Sequence, residues 1–331
     1  MPLLSIIIPV YNVEKYLSQC LDSVLYPDMP EYEIVCVNDG STDSSPAILS
    51  QYAAKYPGQI RIVNRPNGGL GAASNTGIEN ALGKYITFLD SDDYYAPGAV
   101  AEMLQACRDD FQICFFNFEN VNEAGAYIST TYGCHRPEGI FSFAEYPQLL
   151  FEFPSRCNKI FLRELFTRYN IWYPSPVWFE DYRTNPKFYP YCNKIKYVNQ
   201  SWYHYRQQAA SITHGTNTQR NLEIIAAADD LLSYYKANGL FEKYHDELEY
   251  SVFYNELLTS TDRVNLIDPK SPVQAQLLAW YRKEFPNYKD NPYFKKIPAK
   301  LKLIHFLISH RMYSALNLLL TANNKIKNKC S

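Results

Sequence analysis

An α/β fold, with a parallel sheet covered by helices on both faces and a helical C-terminal extension, is what the sequence predicts. Three observations carry that expectation. Between Leu3 and Asn117 short apolar runs alternate with helical segments, the runs are near-continuous as in strands buried on both faces, and polar groups collect where the runs end. LLSIIIPV is the first strand, followed by an amphipathic helix over 13–25 and the strand EIVCVND. A helix over 44–56, the strand IRIVNR, a small-residue helix over 70–82, the strand YITFLD, a helix over 98–109 and the strand ICFFNF complete the alternation. Residues 118–140 read as an aromatic, turn-rich insertion. Helical periodicity returns through FAEYPQLLF and NKIFLRELFTRY, KYVNQSWYHYR reads as one more strand, and 218–240 and 241–264 read as two helices. The expected division is residues 1–215 for the α/β domain and 216–331 for a helical region with a basic amphipathic tail.

In open α/β sheets ligands bind beyond the C-terminal ends of the strands. Tyr11 and Asn12, Asn38 and Asp39, Asn67, and Asp90 to Asp93 all fall there. The formal charge of −2 argues against a nucleic-acid partner, but it divides unevenly: +8 after Asp290, where no carboxylate occurs, and −10 before it. Eight cysteines show no CxxC pair or zinc spacing, which suits a reducing cytoplasm. The first strand begins within a few residues without a charged leader, and no apolar stretch approaches the roughly 18 residues of a membrane span. The expectation is a cytoplasmic protein that is not integral to a membrane.

The sharpest local signal is YITFLDSDD, residues 85–93, an apolar strand running into Asp90, Asp92 and Asp93. On a continuing strand Asp90 and Asp92 point the same way, and the pair could share one Mg2+ or Mn2+ with the phosphates it neutralises. The bland reading is that Asp92 or Asp93 caps the helix after Pro97. In VNDGSTD, Asp43 or Ser44 reads as the N-cap of the next helix, whereas Asp39 is a strand-terminal carboxylate able to accept from the N3–H of a uracil. NGGLGAASNTG, residues 67–77, brings almost no side-chain bulk to a helix start; either a diphosphate approaches its backbone N–H groups or the helix packs closely on the sheet.

Taken together, SIIIPVYN, EIVCVNDGSTD, NGGLGAASNTGIENALGKYITFLDSDD, NKIFLREL, WFEDY and YHYRQQAASITH resemble the family 2 glycosyltransferases, over about residues 4–214. The resemblance implies a GT-A fold, a Rossmann-like, mostly parallel sheet flanked by helices. It also implies a nucleotide-sugar donor, usually UDP-linked, a divalent metal and transfer with inversion. Carried over by position, Pro9, Tyr11 and Asp39 surround the uracil and ribose, Asn67 and Gly68 lie near the donor, Asp90 with Ser91 approaches the ribose or donor sugar, and Asp92 binds the metal. His214 falls where relatives place a third metal contact or a phosphate contact, with Arg206 and Ser211 in the same region. Relatives commonly read AARN where this chain has Ala72, Ala73, Ser74 and Asn75. Ser74 thus replaces an arginine, and either its hydroxyl serves the donor or another base such as Arg206 substitutes.

Glu180 and Asp181 match the family's acidic pair, with Asp181 as general base and Glu180 orienting it or touching acceptor. An inverting displacement needs a carboxylate opposite the leaving group to take the acceptor hydroxyl's proton. Without the other motifs the pair reads as two acids starting a helix. Lys159 and Arg163 read as solvated helix cations or acceptor contacts. The basic tail reads either as a solvated face or as an attachment to anionic lipid near a lipid-linked glycan acceptor in bacterial surface polysaccharide synthesis. Two rivals remain: a sugar nucleotidylyltransferase, which would carry a Gly-rich, basic signature near the first strand where PVYN stands, and a non-catalytic glycan-binding or scaffold descendant of a transferase.

Overall fold

The computed structural model describes residues 1–26, 29–208 and 217–327, with side chains to residue 322. The chain forms two compact units, Met1–Gln208 and Ala209–Ser331.

The first unit contains β1 (Leu4–Val10), α1 (Glu14–Asp22), β2 (Tyr32–Asn38), α2 (Ser45–Lys55), β3 (Ile60–Asn64), α3 (Leu70–Asn80), β4 (Tyr85–Phe88), β5 (Tyr94–Tyr95), α4 (Ala99–Ala106) and β6 (Ile113–Val121). It continues with β7 (Tyr127–Thr131), β8 (Gly139–Phe141), β9 (Lys159–Leu162), α5 (Glu164–Arg168), α6 (Glu180–Phe188) and β10 (Ile195–Arg206). The sheet runs β3-β2-β1-β4-β9-β6-β10-β5, with β7 on β6 and β8 on β10. β1 to β4 pair in parallel, as do β6 and β10. Every residue of β1, β2 and β4 is buried, which is why these strands read as unbroken apolar runs.

One expectation fails here. Residues 158–169 do not form one helix: Lys159–Leu162 is β9, antiparallel to both β4 and β6, with Phe161 opposite Ile86 and Ile113. A short central strand buried on both faces has the same apolar signature as a buried helical turn, and only its neighbours distinguish them. The insertion after Phe118 is partly sheet as well, since β6 continues to Val121 and β7 folds back on it. FAEYPQLLF contributes only a 3-10 turn, Pro147–Phe151.

Close packing explains the small residues of α3. A side chain at Gly77 would overlap Ile7 of β1, and one at Gly71 would overlap the Pro174 carbonyl. Asn75 clamps the same segment from its own side chain, donating to the Tyr173 carbonyl at 2.8 Å and accepting from the Tyr173 N–H at 3.0 Å.

In the second unit α7 (Glu223–Ala237) is followed by α8 (His245–Val252), a π-helical segment Phe253–Thr259 and α9 (Ser260–Ile267). The helix expected over 241–264 thus carries a π segment. α10 (Val273–Glu284), α11 (Pro292–Lys295), α12 (Ala299–Ser309) and α13 (Tyr313–Lys327) follow. Among the described residues no helix is long and apolar enough to cross a membrane.

Candidate active site

β4 ends at Phe88, and the chain turns so that the Asp93 N–H donates to the Asp90 carbonyl at 2.9 Å. The expectation of a continuing strand is corrected by this turn: Asp90 and Asp92 follow the strand in a turn and do not project side by side from it. Their carboxylates take separate partners. Asp90 accepts from the Arg156 guanidinium at 2.5 Å and from the Cys157 thiol at 3.3 Å. Asp92 accepts from the Gln208 amide at 2.8 Å and lines an open cleft of about 420 Å³ with Asn12, Lys15, Tyr16 and Thr42. Burial, then repulsion from Asp90, pushes the Asp92 carboxyl up to about 6. Asp93 is buried and structural, accepting from the Tyr203 hydroxyl at 2.5 Å and the Arg206 N–H at 2.7 Å.

Arg156 is the residue that sequence reasoning missed. It lies in the loop before β9, is 1% exposed, and stacks its guanidinium 5.5 Å from the Phe88 ring centroid. Beyond Asp90 it reaches Glu180 Oε1 at 3.2 Å and Asp181 Oδ1 at 3.3 Å, while its backbone N–H donates to Asp181 Oδ2 at 3.0 Å. Glu180 and Asp181 open α6, where Phe179 adopts a left-handed φ of 61°. One buried cation thus gathers three acids from two motifs. Burial, followed by repulsion from Asp181, raises the Glu180 carboxyl to about 7. Burial raises Asp181 as well, against the opposing pull of Arg156. A lone arginine in FPSRCNKIF was the only sequence signal, and it carried no spacing to interpret.

Asp39 is 3% exposed and heavily bonded: it accepts from the Gly68 and Gly69 N–H groups, the latter at 2.9 Å, and pairs with Arg65. That guanidinium occupies the space a Gly68 side chain would take. Pro9 is buried within β1, Ser91 is buried, Asn67 is exposed, and Tyr11 is half exposed at the strand end. Asn12 beside it adopts φ 51° and accepts from the Thr42 N–H at 2.8 Å. Asp43 accepts from the N–H groups of Ser45 and Glu14, both at 2.9 Å, and so serves the starts of α2 and α1 together.

Several expectations are corrected. Ser74 is fully buried and its hydroxyl donates back to the Leu70 carbonyl at 2.8 Å, so it offers nothing to a donor. Arg206 does not substitute for the missing arginine: it is 5% exposed and donates to the Asp92 and Glu123 carbonyls and to Gln19. Lys159 is no solvated helix cation. It is wholly buried in β9, donates to the Phe153 carbonyl at 3.0 Å and is pushed down to about 7 by burial. Arg163 donates to the Gly83 carbonyl at 2.8 Å. His214 and Ser211 lie outside the described residues.

Residues 5–169 match the family model described as glycosyl transferase family 2. The putative glycosyltransferase EpsH of Bacillus subtilis (strain 168) is 31% identical over 259 residues, covering 75% of this chain and 73% of that protein. The uncharacterized glycosyltransferase EpsJ of the same organism is 32% identical over 221 residues, 64% of this chain and 63% of its own length. Among solved structures, S. aureus TarS 1–349 in complex with UDP-GlcNAc superposes with a TM-score of 0.53 at 18% identity, over 87% of this chain and 90% of that one. The mannosyltransferase PcManGT from Pyrobaculum calidifontis, in complex with GDP-Man and Mn2+, gives 0.53 at 17% identity over 96% and 87%. Sheet order, helical layers and these superpositions make the fold GT-A, and the relatives and the family match show that the chain belongs to glycosyl transferase family 2.

Proposed function

We propose that the chain moves a sugar from a UDP-sugar to a glycan hydroxyl with inversion, in the synthesis of a bacterial surface polysaccharide, from the cytoplasmic side. The observation that carries the proposal is the convergence of Asp90, Glu180 and Asp181 on Arg156. It brings the acid of the donor motif and the acidic pair of the acceptor motif into one place. TarS has been solved with UDP and with UDP-GlcNAc, and this supports the choice of donor. The seven described cysteines are all free and buried, in keeping with a reducing compartment. We assign the chemistry to residues 1–215 and leave 216–331 as the helical appendage.

Asp181 takes the acceptor hydroxyl's proton as the new C–O bond forms at the anomeric carbon and the bond to the UDP phosphate breaks. Arg156 holds Asp181 from two sides, through its backbone N–H and its guanidinium, so the carboxylate is oriented before substrate arrives. Asp92 fits a hard cation: it forms no ion pair among the described residues, and one carboxylate plus donor phosphates is a common Mg2+ environment. Such an ion, Mg2+ or Mn2+, would neutralise the departing diphosphate. Glu180, held by the same arginine, orients Asp181 or contacts the acceptor.

The test is a screen of nucleotide sugars with Mg2+ or Mn2+, following nucleotide release together with acceptor-dependent product. UDP release coupled to glycan extension is expected. Product formed only from other nucleotides would remove the donor assignment, and no acceptor-dependent product would remove the transferase reading of this site.

A further inference from the structure

α12 is amphipathic in an unusual sense: its outward face is both apolar and basic. Ile304, Leu307 and Ile308 are buried against the helical unit. On the other side Leu303 is 47% and Phe306 49% exposed, and Met312, in the turn after the helix, is 44% exposed. Leu303 and Phe306, three apart on one helix, are neighbours on its surface, and large apolar side chains left in water together mark a contact surface. Exposed Lys300, Lys302, His310 and Arg311 border them, and Lys296 precedes the helix. Two of the neighbouring lysines have acids nearby, Lys295 with Asp290 at 3.7 Å and Lys300 with Asp262, but no carboxylate occurs anywhere after Asp290. The local potential is visible on buried His305 of the same helix. Burial first, then repulsion from Lys289, Arg282 and His310, pushes it down to about 4.

We infer that the Leu303, Phe306 and Met312 face of α12, with Lys302 and Arg311 at its borders, is a docking surface for an anionic lipid bilayer. The charge separation favours this occupant: residues 1–290 carry a formal −10 and the segment after Asp290, to which the patch belongs, carries +8, so an anionic bilayer attracts this end of the chain and disfavours the remainder. Interleaved apolar side chains argue for a bilayer over nucleic acid, because a polyphosphate surface returns nothing for burying Leu303 and Phe306, whereas the acyl boundary does. Eleven residues span about 16 Å, so the helix lies along the interface instead of crossing it. The surface would hold the catalytic unit where a lipid-linked acceptor resides, but the inference stands apart from the transferase reading, since partitioning is measured without any sugar donor.

The experiment is co-sedimentation of the full chain with vesicles of phosphatidylcholine alone or containing phosphatidylglycerol, at low and high salt. Preferential, salt-weakened binding to the anionic vesicles is expected. Lys302→Gln and Arg311→Gln should each weaken it about fivefold, roughly 1 kcal/mol per charge. Leu303→Ser with Phe306→Ser should abolish it at every salt concentration. All four side chains are exposed, and unchanged circular dichroism confirms that the variants fold. Equal partitioning to both vesicle types, or wild-type binding by both sets of variants, overturns the inference. So does concentration-dependent self-association that the Leu303 and Phe306 changes remove, which would make the patch an interface between copies.

Discussion

Arg156 and Asp90, 66 positions apart in the chain, meet at 2.5 Å with the arginine almost wholly excluded from water. The same guanidinium holds Glu180 and Asp181, so one buried cation is shared among three carboxylates. Removing one partner of such a buried arrangement leaves uncompensated charge, at a cost of about 3–5 kcal/mol.

Arg156→Gln should therefore lower stability by about that amount in denaturant titration. It should also shift the acid limb of kcat/KM upward, because Glu180 and Asp181 lose the positive charge that favours their ionised forms. Arg156→Lys should restore the pH profile in part, though not the fork that binds two acids at once. An unmoved pH profile in a folded Arg156→Gln protein would reduce the residue to a structural filler.

Asp181→Asn should retain donor binding by calorimetry and lose about 10²–10⁴-fold in kcat. In the unmodified protein the base must be deprotonated, and burial holds the Asp181 carboxyl above the ordinary aspartate range, so activity should rise with pH through an acid limb displaced upward from that range. Normal turnover by Asp181→Asn would transfer the base role elsewhere.

Chelation should abolish tight donor binding, with Mg2+ or Mn2+ restoring it. Asp92→Asn should blunt that metal response while leaving stability nearly unchanged, since the Asp92 carboxylate bonds only the Gln208 amide among the described residues, and the Arg206 bond runs to its backbone carbonyl. A metal response of full size in Asp92→Asn would exclude Asp92 as ligand.

Ser74→Arg, which restores the residue common in relatives, should destabilise by more than 1 kcal/mol and give no gain in donor affinity. There is no room at a fully buried position on the face of α3. Ser74→Ala should stay within about 1 kcal/mol of the parent, because the lost bond runs only to its own helix. Thermal melts of both variants decide the point.

Glu256, in the π-helical segment, is fully buried, and neither of its carboxylate oxygens has a hydrogen-bond partner among the described residues. Burial raises its pKa, so the folded state holds a proton that the unfolded state gives up. Its contribution is fully present below the ordinary glutamate range and is lost as pH rises above it. Glu256→Gln should match the parent near pH 5 and exceed it at pH 8, by about 1–3 kcal/mol. Parallel Tm curves across that range would contradict this.

The alternation of β1 to β4 with α1 to α3, the placing of Asp39 and Asp90 to Asp93 at strand ends, and the family itself were all decided by the chain's one-dimensional pattern. Strands buried on both faces must be apolar, and ligand groups must follow them. Tertiary structure alone decided what those groups touch. Inserting β9 between β4 and β6 brings the loop carrying Arg156 against Asp90, while α6 delivers Glu180 and Asp181 from 24 and 25 positions away. The turn after Phe88 gives Asp90 and Asp92 different hydrogen-bond partners, Arg65 pairs with Asp39, and Ser74 is buried. The physical reason is common to all of them: a side chain's polarity is local, but its partner is set by which strands become neighbours, and sequence spacing does not encode that.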